Sequence, residues 1–182
     1  MPGDSDDAGA RLTLERIGRH LSPGAELSAK ILGGGAVETA ASGAIVSLSD
    51  GRRLLDFGSY AVTLLGHRHP AVLTAMADRM ATMPTATRVL PNPVTAAFAA
   101  ELSARCGDRL PRVWFGSDGA DAVEAALKLA RRGSGRMRVL AVEGAFHGKT
   151  LGALSLTRGR IFRDGLEPLL GSVTEVPRDD PD

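Results

Sequence analysis

Cysteine is almost missing from this sequence: Cys106 stands alone among 182 residues, which excludes an internal disulfide and suits a reducing compartment. No apolar stretch is long enough to span a bilayer, and Met1 to Gly9 is acidic and polar, unlike a secretion signal. Charge of one sign is also lacking, since 22 Lys and Arg face 21 Asp and Glu for a net charge of +1. The basic residues are spread along the chain without the dense run or the aromatic interleaving of a nucleic-acid surface. Their closest cluster, Arg131, Arg132, Arg136 and Arg138, reads as the cation-rich C-terminal end of a helix. The expectation is a cytoplasmic protein with neither a membrane nor a nucleic acid as partner. Lysine is scarce too: Lys30, Lys128 and Lys149 are the whole supply.

A chain of this length can bury one substantial core. Met1 to Ala10 lacks an apolar anchor and is expected to be mobile. Arg11 to Leu21 predicts a short amphipathic helix through Leu12, Ile17 and Leu21, stopped by Ser22-Pro23-Gly24. Gly33-Gly34-Gly35 reads as a flexible connection, because no clear strand precedes it and no helix follows. Ala44 to Leu48 and Arg53 to Phe57, joined across Asp50-Gly51, predict a β-hairpin. Pro70 predicts the first turn of a helix running to about Met83. Val94 to Cys106 predicts another, ended by Gly107.

The organising stretch is Arg112 to Gly148. Arg112 to Phe115 reads as a strand entering Gly116-Ser117-Asp118-Gly119-Ala120, and the helical spacing of Ala122, Val123, Ala126, Leu127 and Ala130 follows. Met137 to Val142 predicts a second strand, with little polar alternation, running into Gly144-Ala145-Phe146-His147-Gly148. A third strand is expected at Ser172 to Val176. The fold class is α/β, with ligand loops at the strand ends of a βαβ unit.

Two readings compete at the first loop. The amides of Gly119 and Ala120, at a helix N-terminus, suit an anion. Equally, Asp118 followed three residues later by Asp121 resembles a capping box, in which a carboxylate takes such amides. Gly148-Lys149-Thr150 ends like a P-loop, but Gly144 to Gly148 leaves three intervening residues where a P-loop has four. His67 and His69 lack further candidates at ligand spacing, so no metal is expected.

Phe115 to Arg131 and Ala145 to Thr157 together resemble the class III aminotransferases that use pyridoxal 5'-phosphate. Leu55-Asp56-Phe57-Gly58-Ser59 and Leu65-Gly66-His67-Arg68-His69-Pro70 resemble the same family, in the same order, and the likeness runs from about Gly43 to the C-terminus. It implies part of a fold type I transferase: an incomplete large-domain sheet with flanking helices, preceded by an N-terminal hairpin segment. Residues 1–58 would then belong to the small domain and 59–182 to the first part of the cofactor-binding large domain. The implied cofactor contacts are Asp118, Gly119, Ala120, Phe146 and His147, with Ser59 and Tyr60 on the substrate side. A carboxylate at 118 departs from the family, whose members usually carry a small hydroxyl residue there, and it repels a phosphate unless it turns away.

The resemblance puts the Schiff-base lysine and the aspartate at the ring nitrogen in later parts of the fold. No catalytic residue is therefore expected within this chain. It is expected to be a truncated portion or split subunit, incompetent alone, whose partner is a complementary chain carrying the C-terminal half of the fold. Homo- or hetero-oligomers are expected, with a small-molecule amine, such as an ω-amino acid, and a 2-oxo acid as substrates. The Phe-His-Gly-Lys-Thr stretch leans towards the acetylornithine and ornithine branch. The alternatives are a non-catalytic interaction or regulatory module of the same ancestry and, behind it, a P-loop-like nucleotide binder.

Overall fold

A computed structural model describes residues 4–59, 62–87, 89–107, 109–169 and 171–179. The arrangement is mixed α/β, a partial sheet with flanking helices, and the chain forms two compact units, Met1–Leu90 and Pro91–Asp182.

The first unit opens on a helical hairpin, α1 (Asp4–His20) and α2 (Pro23–Gly33). Residues 4–10 belong to α1, which starts before the helix expected at Arg11. Ala10 and Leu14, one turn apart, are both buried. That pair forms the inward face, whereas Leu12 and Leu21 are exposed. Ser22-Pro23-Gly24 separates the helices but also starts the second: the Ser22 hydroxyl accepts from the Ala25 amide at 3.1 Å, with Pro23 in the first turn. The glycine triplet is where α2 ends, on Gly34 in the left-handed region at φ 63°.

Three antiparallel strands follow in the order β1 (Glu38–Ser42), β2 (Ile45–Leu48), β3 (Arg53–Leu55). The expected hairpin is β2–β3, in the register Ile45 to Leu55, Val46 to Leu54 and Ser47 to Arg53. Val46 and Leu48 alternate into the interior. β1 has almost no β-branched character to announce it, and its ladder is irregular between Glu38 and Ala40. The expected Pro70 helix is α3 (Pro70–Thr82).

In the second unit α4 (Pro93–Arg105) is capped by Asn92, whose Oδ1 accepts from the Val94 and Thr95 amides. Then come α5 (Gly119–Ser134), β4 (Val139–Val142), α6 (Leu151–Leu156) and β5 (Val173–Val176). β4 and β5 pair in parallel, Val139 with Val173 through Val142 with Val176. The βαβ crossover thus lies one element later than expected. Arg112 to Phe115 is in no strand, because among the described residues it has no neighbouring strand. Trp114 is 66% exposed, and Phe115 stacks on Phe98 with ring centroids 5.5 Å apart. The core joins Leu127 of α5, Ala141 of β4 and Leu156 of α6, with Val123, Val139 and Val173 packed around them. Burying each leucine is worth about 2 kcal/mol. The other face of β4 presents Leu140 and Val142, both exposed.

Candidate functional site

The start of α5 is held by a reciprocal pair of acids. Asp118 is extended (φ −157°, ψ −178°), and its Oδ1 accepts from the Asp121 amide at 2.9 Å. Oδ2 of Asp121 reaches back to the Ser117 amide at 3.0 Å. The Ala122 amide donates to the Asp118 carbonyl at 3.1 Å. The amides of Gly119 and Ala120, the first two of the helix, meet no protein acceptor among the described residues. The capping reading holds, and it does not occupy the amides that an anion would need. The carboxylate serves the third amide of the helix and leaves the first two, where the dipole places about half a positive charge.

A second loop lies directly on this helix start. After β4 the Ala145 amide donates to the Val142 carbonyl at 3.0 Å and the Ala145 carbonyl accepts from the Arg158 amide at 2.9 Å. Gly148 then passes over Ala120 at φ 123°, and a Cβ at residue 148 would stand 2.6 Å from the Ala120 Cβ. Only glycine combines that backbone with that approach. The contact sets Phe146 and His147 beside the free amides. The Phe146 ring is 58% exposed and meets Phe162 edge to face, with centroids 5.3 Å apart and planes at 66°. Asp118, Gly119, Ala120, Phe146 and His147 thus line one open concavity of about 460 Å³, together with Val123 and Gly148.

Ser59 belongs to the first unit, at φ 38°, and its hydroxyl donates to Asp56 Oδ2 at 2.8 Å. Tyr60 lies outside the described residues. Asp56 also accepts from the amides of Gly58 and Ser59, the Thr63 hydroxyl and His67 Nε2, all within 3.1 Å. The Ser59 hydroxyl, then His67 and Thr63, hold its carboxyl well below the usual carboxylate range. His67 is thereby engaged as a partner of Asp56.

Three supports were not visible in the sequence. Thr157, with 0% exposure, accepts the His147 amide at its Oγ1 (2.9 Å). Phe162, from a 3₁₀ turn at Arg160–Phe162, backs the Phe146 ring. Glu124 of α5 accepts the Thr150 hydroxyl at 2.6 Å and the Ala153 amide at 3.0 Å. The Thr150 bond, with help from the backbone amides of Ala153 and Gly152, lowers the Glu124 pKa. All three are contacts across 10 to 29 residues of chain or between rings, which no local pattern encodes. The P-loop-like residues are engaged differently from a nucleotide site: Thr150 serves Glu124, and Lys149 Nζ sits 5.0 Å above the Phe162 ring.

Residues 32–182 match the family described as Aminotransferase class-III. The acetylornithine aminotransferase of Mycobacterium tuberculosis (strain ATCC 25618 / H37Rv) is 42% identical over 142 residues, covering 77% of this chain and 35% of that protein. Its counterpart in Mycolicibacterium smegmatis is 40% identical over 139 residues, covering 76% and 35%. Among solved structures, a thermostable (S)-enantioselective omega-transaminase from Thermomicrobium roseum matches with a TM-score of 0.80 at 26% identity, over 92% of this chain and 40% of that one. An amine transaminase from an uncultivated Pseudomonas species, in its PLP-bound form, matches with a TM-score of 0.72 at 27% identity, over 78% and 34%. The chain spans about a third of the length of the curated relatives it matches. Among the described residues no helix is long and apolar enough to cross a membrane, and no group of three or more His, Cys, Asp or Glu could hold a metal ion.

Proposed function

The chain belongs to the class III aminotransferases, and from that premise we propose that it supplies the phosphate cradle and the ring-stacking wall of a pyridoxal 5'-phosphate site in an enzyme completed by further polypeptide. The observation that carries the reading is the rest of Gly148 on Ala120, which joins an aromatic wall to two free helix amides. The residues fit the group. Gly119 and Ala120 would take the phosphate, the exposed face of Phe146 would lie against the pyridine ring, and His147 would close the rim. Ser59 and Tyr60 belong to the substrate side in this reading, with residues 1–58 in the small domain and 59–182 in the large one. When bound, the cofactor supplies the electron sink that amino-group transfer from an amine or ω-amino acid to a 2-oxo acid requires. The acetylornithine aminotransferases among the relatives favour an ω-amino acid substrate.

The need for completion is supported by surface. The chain exposes 14481 Å². A 19.0 kDa chain folded even as two separate compact bodies should expose about 10,000 Å². Leu140 and Val142 leave one face of a parallel sheet open, where such sheets are covered on both. The missing two thirds of the fold, whether a continuation of this chain or a separate partner, would cover these groups and bring the lysine that holds the cofactor. The three lysines here are used otherwise: Lys30 pairs with Glu26 at 2.5 Å, Lys128 flanks Glu124, and Lys149 lies on Phe162. Asp118, lining the cradle, favours a second reading, a non-catalytic module of aminotransferase ancestry.

Pyridoxal 5'-phosphate titration of the 182-residue chain, followed by borohydride reduction and peptide mapping, separates the outcomes. Binding without covalent trapping, and turnover of an ω-amino acid with a 2-oxo acid only after the completing polypeptide is added, is the expected result. Trapping on Lys30, Lys128 or Lys149, or turnover by the 182-residue chain, would overturn it. Binding with no turnover after completion would leave the non-catalytic module.

A further inference from the structure

Phe146 and His147 sit in a loop between β4 and α6 with no ladder of its own, so something must hold it at the depth the cradle requires. Thr157, immediately after α6, is a polar side chain with no exposed surface, set among the buried residues Ala153 to Leu156. A buried hydroxyl without a partner is costly, so its bonds matter. Its Oγ1 accepts from the His147 amide at 2.9 Å and donates to the Gly148 carbonyl at 2.9 Å, with the Ala153 carbonyl farther away at 3.3 Å. One hydroxyl thus spans the His147–Gly148 unit, accepting from the N–H at its start and donating to the C=O at its end. That unit leads directly into the Gly148 approach to Ala120.

The clamp is itself fixed from three sides. The Thr157 amide donates to the Ala153 and Leu154 carbonyls at 3.1 Å. Its carbonyl accepts from Arg163 Nη1 at 3.2 Å, and Arg163 is held by Glu167 at 2.5 Å. The next residue, Arg158, bonds back to the Ala145 carbonyl through its amide and pairs with Glu175 on β5 through its guanidinium. The loop is therefore tied at Ala145, His147 and Gly148 to a two-residue segment locked against the sheet.

Building on the proposed cofactor site, we infer that Thr157 is a positioning residue: it touches no ligand, but its hydroxyl sets the height of the Phe146–His147 wall over the Gly119 and Ala120 amides. A valine has the same shape without the hydrogen bonds, so Thr157→Val leaves a half-buried N–H and C=O without this partner, while Thr157→Ser keeps both. Loss of the clamp is expected to speed amide exchange at His147 about tenfold and to weaken pyridoxal 5'-phosphate binding by a similar factor, with the serine variant close to wild type.

The test compares the wild-type 182-residue chain with both variants by site-resolved hydrogen exchange and by cofactor titration. Faster exchange and weaker binding in Thr157→Val, both restored in Thr157→Ser, support the role. Unchanged exchange at His147, or faster exchange with unchanged cofactor affinity, overturns it. Should the valine variant not fold, the wild-type His147 amide alone decides, since an unprotected amide there overturns the clamp. If the wild-type chain binds no cofactor while exchange still follows the hydroxyl, the proposed function has failed and the clamp has not.

Discussion

Asp56 and Asp118 are both carboxylates in glycine-containing turns, and they do opposite things to the donors around them. Asp56 gathers five, from Gly58, Ser59 twice, Thr63 and His67, so its turn is closed on itself. Asp118 takes one, the Asp121 amide, and leaves the two amides ahead of it unpaired beside an exposed aromatic ring. A satisfied turn is architecture, whereas a turn with donors left over in a concavity is a candidate site. Presence of an acid next to glycine does not distinguish the two, because what matters is how many local donors the acid can reach.

The strongest way to break the contrast is to close the open turn. Gly148→Ala sets a Cβ against Ala120 at 2.6 Å on a backbone at φ 123°, so the loop must lift away from the cradle. Pyridoxal 5'-phosphate binding should be lost, with a stability cost of about 2 kcal/mol from backbone strain and the clash. Retained cofactor affinity would show that the loop is no wall of the site. A subtler change sharpens the comparison. Asp118→Asn keeps an N-cap of equal quality and removes one negative charge from the cradle, so phosphate affinity should rise about tenfold at low salt and less at high salt. The matching Asp56→Asn should leave phosphate affinity alone and lower the melting temperature, by depriving its turn of the ionised acceptor. Weaker phosphate binding in Asp118→Asn would mean that the carboxylate is needed in the site rather than tolerated there.

What the sequence made legible follows the same divide between local and non-local causes. The hairpin at β2–β3 and the helices beginning at Pro70 and Pro93 are announced by their own turn and cap residues. α2 is hidden because Ser22-Pro23-Gly24 stops one helix and starts the next with the same three residues. α6 is hidden because Gly152 to Leu156 is buried on every side and has no period to read. The apolar run at 113–115 meets no neighbouring strand among the described residues, so its pattern alone does not make it a strand. At the site, the free amides and the capping acid could be read from a helix start. Gly148 on Ala120 and Thr157 under His147 could not, being contacts between segments with no shared periodicity.

The smallest effect concerns the brace between the two site-bearing helices. Glu124 on α5 ties Thr150 and the start of α6, and a side chain at residue 152 would collide with its carboxylate. Its folded pKa lies below the ordinary 4.5, so the bond's contribution is complete above that value and fades as pH falls through the folded pKa. Glu124→Gln keeps the shape and loses the ionised acceptor, which should cost about 1 kcal/mol near neutrality. As pH falls below the ordinary 4.5 and on through the lowered folded pKa, wild type itself becomes protonated and the two stabilities should converge. Denaturant midpoints of both chains across that range decide it. A gap that stays constant into acid would mean that packing of the side chain, and not its charge, holds α6 in place and with it the platform on which Thr157 stands.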